Sequence, residues 1–85
     1  MYLHLGQDVL IPKSAVVAVF DLDNASQSRV TRDFLKKAEL AGQVINVSDE
    51  LPKAFVLVRR DGETRVYLTQ LSSATLLKRS DENTF

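Results

Sequence analysis

The side chains able to carry reactive chemistry in this 85-residue chain are few, and their spacing argues against most reactions they could perform. His4 is the single histidine and cysteine is absent, so thiol catalysis, thiolate zinc sites, disulfides and histidine-pair metal sites are excluded. A Ser-His-Asp triad would have to be built on His4, which falls in a short β-type run with no nucleophile elbow beside it. A strand histidine making an ordinary hydrogen bond is the expectation. Asp21 and Asp23 stand two apart, but only Asn24 extends the pattern and no calcium loop is completed, so they read as a turn leading into a helix. Asp49 and Glu50 are adjacent on a loop, where neighbouring side chains diverge, and read as solvated charge. No phosphate-cradling glycine motif occurs. These residues predict a protein that is not an enzyme and uses no cofactor or metal.

Positive charge is more informative because it clusters. Eleven Lys plus Arg balance eleven Asp plus Glu, which removes a global electrostatic case for nucleic acid or anionic lipid and leaves only local patches. On a helical wheel Arg29, Arg32 and Lys36 fall at i, i+3 and i+7, one stripe flanked by Asp33 and Glu39. Arg59, Arg60 and Arg65 gather at a hairpin tip, where Glu63 is expected to neutralise Arg60. Lys78 and Arg79 complement the dipole at the end of a C-terminal helix.

The elements that must position these groups follow from periodicity. Tyr2 to Leu5 and Val9 to Ile11 are β-type runs around Gly6-Gln7, which suits a two-residue type II′ turn placing His4 opposite Val9 and Leu3 opposite Leu10. Pro12 ends the second strand. Ala15 to Phe20 is apolar without alternation, the pattern of a strand in the middle of a sheet. A helix over 26–41 is predicted, capped by Asn24 with Gln27 or by Ser26. Its apolar stripe is Val30, Phe34, Ala38 and Ala41, and Gly42 closes it.

Gln43 to Val47 reads as a strand and Ser48 to Pro52 as a loop. Lys53 to Arg60 and Glu63 to Gln70 flank Asp61-Gly62, a type I′ turn pair. That turn pairs Arg60 with Glu63, Leu57 with Val66 and Phe55 with Leu68, so Phe55, Leu57, Val66 and Leu68 share one face and Val56, Val58, Arg65 and Tyr67 the other. Ser72 caps a short helix through about Arg79.

The order β-β-β-α-β-β-β-α is an α+β fold: a mostly antiparallel sheet of about six short strands with one long helix and one short C-terminal helix. A single domain over 1–80 is expected, followed by a polar tail over 81–85. No apolar run approaches the ~20 residues of a membrane span and no signal peptide precedes the fold, so a cytoplasmic protein without membrane contact is expected. One long helix covers one sheet face, yet Ala15 to Phe20 and Ala54 to Val58 are apolar on both. Self-association through the remainder is therefore predicted.

Met1-Tyr2-Leu3-His4-Leu5-Gly6, Val9-Leu10-Ile11, the apolar strand to Phe20, Phe34-Leu35-Lys36-Lys37 and Leu71 to Leu76 with Lys78-Arg79 together resemble the RemA/RemB family of bacterial extracellular-matrix regulators. The likeness is nearer to the RemB branch and spans residues 1 to about 80. It implies a cytoplasmic regulator of biofilm-matrix genes and, for the RemA branch, a ring-shaped homo-oligomer that binds DNA through arginines repeated around the ring. The arginine-rich loop of RemA-like proteins is here Ser48-Asp49-Glu50-Leu51-Pro52-Lys53, so only Lys53 keeps a cation there; the arginine before the central strand falls near Ser14-Ala15, with Lys13 the nearest cation.

Two functions are consistent with these observations. In the first, a homo-oligomer regulates transcription by contacting double-stranded DNA through Lys13 and Lys53, with Arg29, Arg32, Lys36, Arg59, Arg60 and Arg65 as further contacts. In the second, an interaction module joins another regulatory protein through the sheet face around Val56, Val58 and Tyr67 and touches no DNA.

Overall fold

A computed structural model describes residues 2–22 and 28–82. Strands β1 (Tyr2–His4) and β2 (Leu10–Pro12) form an antiparallel hairpin, and a 3-10 turn over Lys13–Ala15 leads into β3 (Val16–Asp21). Helix α1 (Arg29–Leu40) is followed by β4 (Val44–Asn46), β5 (Ala54–Arg60), β6 (Glu63–Thr69) and helix α2 (Ser73–Glu82). The α+β class stands, but the six strands divide into the hairpin and a separate four-stranded sheet of order β3-β5-β6-β4.

The β5-β6 hairpin has the predicted register. Arg60 pairs with Glu63, Leu57 with Val66 and Phe55 with Leu68. Asp61 and Gly62 adopt φ of 52° and 81°, the two positive values that a type I′ turn demands. The first hairpin is shifted by one residue: His4 lies opposite Leu10 and Leu3 opposite Ile11. The Leu5 N–H donates to the Val9 carbonyl, so the loop is Gly6-Gln7-Asp8 rather than two residues. The shift has a plain cause. It aligns Leu3, Leu5, Val9 and Ile11 on one face, whereas the two-residue loop would have set Leu3 against Leu10 and mixed inward with outward positions.

One further expectation needs correction. The strand from Val16 lies at an edge of the sheet instead of its middle, bonded to β5 alone, with a register irregularity at Val17. The strand pairings are mostly antiparallel, as expected, and the exception is β4, which pairs with β6 in parallel. Since β3 and β6 both run antiparallel to β5, β3 and β4 point the same way, and α1 is the crossover that returns the chain between two parallel strands. The β5-β6 hairpin is inserted between them, a split β-α-β arrangement.

The expected helix stop is present in full. The Gln43 N–H donates to the Ala38 carbonyl and the Gly42 N–H to the Glu39 carbonyl, while Gly42 takes φ +72°. This is a Schellman motif. At the other end α1 begins at Arg29 with Ser28 as its cap residue, making no side-chain cap bond. The caps expected at Asn24, Ser26 and Gln27 lie outside the described residues. For α2 the Ser72 hydroxyl accepts from the Thr75 N–H at 3.1 Å, as predicted, and the helix runs to Glu82 rather than Arg79.

Two cores lie on the two faces of the sheet. On one, Ala54, Val56 and Val58 are buried beneath Leu3, Leu5 and Ile11 of the hairpin and Leu76 of α2. On the other, Phe55 and Val66 are buried beneath Ala38, with Leu35, Val44, Leu57 and Leu68 packed around them. The sheet face around Val56 and Val58, expected to serve as an interaction surface, is thus roofed by the chain's own hairpin and α2. Val56 is 0% and Val58 2% exposed. Short strands at the N-terminus gave no hint that they would fold back as a lid on that face.

Candidate functional site

His4 illustrates how the residues of possible chemistry are used. Its Nε2 donates to the Gln7 carbonyl at 2.7 Å, closing the first hairpin loop, and its Nδ1 lies 3.3 Å from a guanidinium nitrogen of Arg79. The same Arg79 nitrogen donates to the His4 carbonyl at 3.3 Å. His4 and Arg79 therefore tie the hairpin to α2, which gives Arg79 a structural task beyond complementing a helix end. Asp21 accepts a bond from the Ser73 hydroxyl at 3.4 Å, placing it at the start of α2. Among the described residues no three His, Asp or Glu side chains gather to hold a metal ion.

The cations occupy several distinct surfaces. Arg29, Arg32 and Lys36 are all exposed along one side of α1, and none of them forms an ion pair among the described residues. The hairpin-tip arginines do not form one cluster. Strand alternation puts Arg59 on the α1 face of the sheet and Arg60 and Arg65 on the other. Glu63 meets Arg65 at 2.8 Å, not the Arg60 expected, because positions two apart in β6 share a face. Arg60, Arg65 and the half-buried Tyr67 line a shallow depression there with Asp61 and Glu63.

Lys13 and Lys53 are separated by the length of a strand pair. Lys13 precedes Val16, which pairs with Val58; Lys53 precedes Ala54, which pairs with Asp21. The two lysines therefore sit at opposite ends of the β3-β5 ladder. The described residues present no single broad cationic face, only small patches pointing in different directions.

Sequence reasoning missed an apolar feature. Of the stripe expected in the core, Val30 and Phe34 are 79% and 37% exposed and Ala41 is exposed, so only Ala38 of it faces the sheet, joined there by Leu35. Together with Phe20, Thr31, Phe55 and Leu57, Val30 and Phe34 line a groove of about 290 Å³ beside β3. The rings of Phe20 and Phe55 stack on its floor, 4.7 Å between centroids. The width of the sheet was the available signal. Four strands at ~4.8 Å spacing span nearly twice the ~10 Å that one helix covers.

No helix among the described residues is long and apolar enough to cross a membrane. The chain is 34% identical over 80 residues to Extracellular matrix regulatory protein B of Bacillus subtilis (strain 168), a match covering 94% of this chain and 90% of that protein. Residues 2–79 match the RemA-like family, described as Extracellular matrix regulatory protein A-like, and with nearly its whole length accounted for in both comparisons the chain belongs to that family.

Proposed function

We propose that this protein is a non-enzymatic regulator of extracellular-matrix gene expression that works in the cytoplasm as a homo-oligomer and contacts double-stranded DNA through repeated small basic patches. Membership of a family named for matrix regulation supports the regulatory role. The observation that carries the DNA reading is the unpaired exposure of Arg29, Arg32 and Lys36 on α1. Lys53 and Arg60 are also exposed.

Zero net charge and separated patches make one protomer a weak polyanion ligand. Copies held in a ring would present each patch repeatedly to one continuous phosphate backbone, and the effective concentration of the second contact would raise avidity without any new interaction. A ring thus reconciles a neutral chain with DNA binding.

Light scattering with and without a duplex tests both halves together. An oligomer that gains mass on adding DNA is expected, and the logarithm of affinity should fall with the logarithm of salt at about −0.9 per phosphate contacted. Charge reversal at Lys13 or Lys53 should weaken binding to all sequences alike. A monomer at micromolar concentration, or binding insensitive to salt, refutes the reading. A second function, an interaction module that works without DNA, is favoured by the apolar groove beside β3, although the face first expected to serve it is buried.

A further inference from the structure

We propose that the groove beside β3 is a docking site for an amphipathic helix of another protein, about 14 residues long, with apolar side chains on one face and acidic residues at both ends. The inference goes beyond DNA contact and does not depend on it.

The first argument is one of width. Leu35 and Ala38 of α1 pack toward Val44, Val66 and Leu68, so the helix covers β4, β6 and the near side of β5. Phe55 itself is 1% exposed, so what stays open is the strip over β3 and beside Leu57, where Phe20 is 37% exposed, a strip about as wide as one helix. A helix laid there beside α1 would complete the second layer on this face. Val30 and Phe34 form one wall, Phe20, Phe55 and Leu57 the floor.

The second argument is charge. Alternation along β5 puts Phe55, Leu57 and Arg59 on the same face. The Leu22 N–H donates to the Lys53 carbonyl at 3.0 Å, which continues the ladder by one pair and brings Lys53 into the same row. The row of β5 positions that includes the floor residues Phe55 and Leu57 therefore runs from Lys53 at one end to Arg59 at the other, beyond the groove lining itself. Both are exposed, and neither forms an ion pair among the described residues. Six residue steps at ~3.4 Å separate them by ~20 Å, the length of a helix of about 14 residues. On the α1 bank Asp33 and Lys37 stand at i and i+4 and offset each other, so the two end cations set the sign. An apolar floor distinguishes this site from a phosphate-contacting surface, which needs none. Helix-in-groove recognition with apolar anchors at i, i+3, i+4 and i+7 fits the shape.

The test uses the full chain and two synthetic 14-residue probes sharing one leucine face, one ended in glutamates and the other in lysines. In fluorescence anisotropy the glutamate-ended probe should bind about tenfold tighter, the sum expected from two exposed attractions replacing two repulsions. Amide resonances of Phe20, Phe34, Phe55 and Leu57 should shift. The Lys53→Glu/Arg59→Glu double variant should invert the preference, and Val30→Glu should weaken both probes. All three positions are solvent-exposed, so folding is retained. Equal affinity for the two probes, or shifts confined to other surfaces, overturns the proposal. So does a self-associated chain that Val30→Glu converts to monomer, because the occupant is then a second copy.

Discussion

Thr69 is the buried polar side chain on which the lid over β5 depends, and replacing it by valine measures that dependence. Its residue is 0% exposed; its hydroxyl donates to the Leu5 carbonyl at 2.6 Å and accepts from the Leu71 N–H at 3.1 Å. Leu5 is itself 0% exposed, so water cannot replace the lost donor there. Thr69→Val keeps the shape, adds apolar surface and strands one buried acceptor and one part-buried donor. Each stranded group costs about 1–3 kcal/mol, and the added methyl returns about 1 kcal/mol. The net loss should be about 1–5 kcal/mol, and its mid-range of about 3 kcal/mol lowers the midpoint of an 85-residue domain by roughly 12–24 °C. Thr69→Ser keeps both hydrogen bonds and loses one methyl, about 1 kcal/mol. Urea unfolding followed by circular dichroism, with unchanged slopes, should rank wild type above serine above valine. A valine variant within about 0.5 kcal/mol of wild type, or more stable than the serine variant, refutes this account of how the hairpin is held.

Three further outcomes follow from burial and backbone geometry. Val58→Lys should cost more than about 3 kcal/mol, since it puts a charge into a site 2% exposed, while Val30→Lys should stay within about 0.5 kcal/mol; thermal melts of the pair show which sheet face is roofed. Ser72→Ala removes the bond to the Thr75 N–H and should lower stability by about 1 kcal/mol, with Ser72→Asp retaining most of it in the same denaturation assay. Gly42→Ala should cost about 1 kcal/mol through the left-handed φ alone, because a Cβ there meets nothing within 4 Å, and Gly42→Asn should cost less.

Local chemistry made some elements legible and left others open. Asp61-Gly62 fixed the β5-β6 turn, and with it the partner and face of every residue from Phe55 to Leu68, because a type I′ turn admits one register. Ser72 and Gly42 likewise mark helix ends whose bonds are local. Three features depended on distant contacts. The loop at Gly6 could close on two residues or three, and only the core beneath Leu3, Leu5 and Ile11 selects three. Apolarity on both faces of Val16 to Phe20 suggested a central strand, yet it serves an edge strand with one face in a core and the other facing the groove. Where each strand sits in the sheet is set by the α1 crossover, which no residue within β3 encodes. Of the candidate DNA contacts, the sequence read the α1 stripe correctly as one exposed row, but treated Arg59, Arg60 and Arg65 as one cluster where strand alternation divides them.

Helix α1 shows why apolar periodicity reports that a surface is greasy without reporting what covers it. Two apolar arcs run along it, offset by roughly a quarter turn: Leu35 and Ala38 toward the sheet, and Val30 and Phe34 alongside it. The stripe expected from sequence, Val30, Phe34, Ala38 and Ala41, drifts from the second arc into the first, and only Ala38 of it is buried. The fold turns Leu35 and Ala38 inward, since the small Ala38 lets the helix approach Phe55 and Val66 closely, while phenylalanine there would hold it away. A helix that only had to cover its sheet would carry polar residues on the second arc. Here that arc is apolar and lines the groove beside β3, so among the described residues α1 carries more apolar surface than the core beneath it uses, and that excess is what the docking proposal rests on.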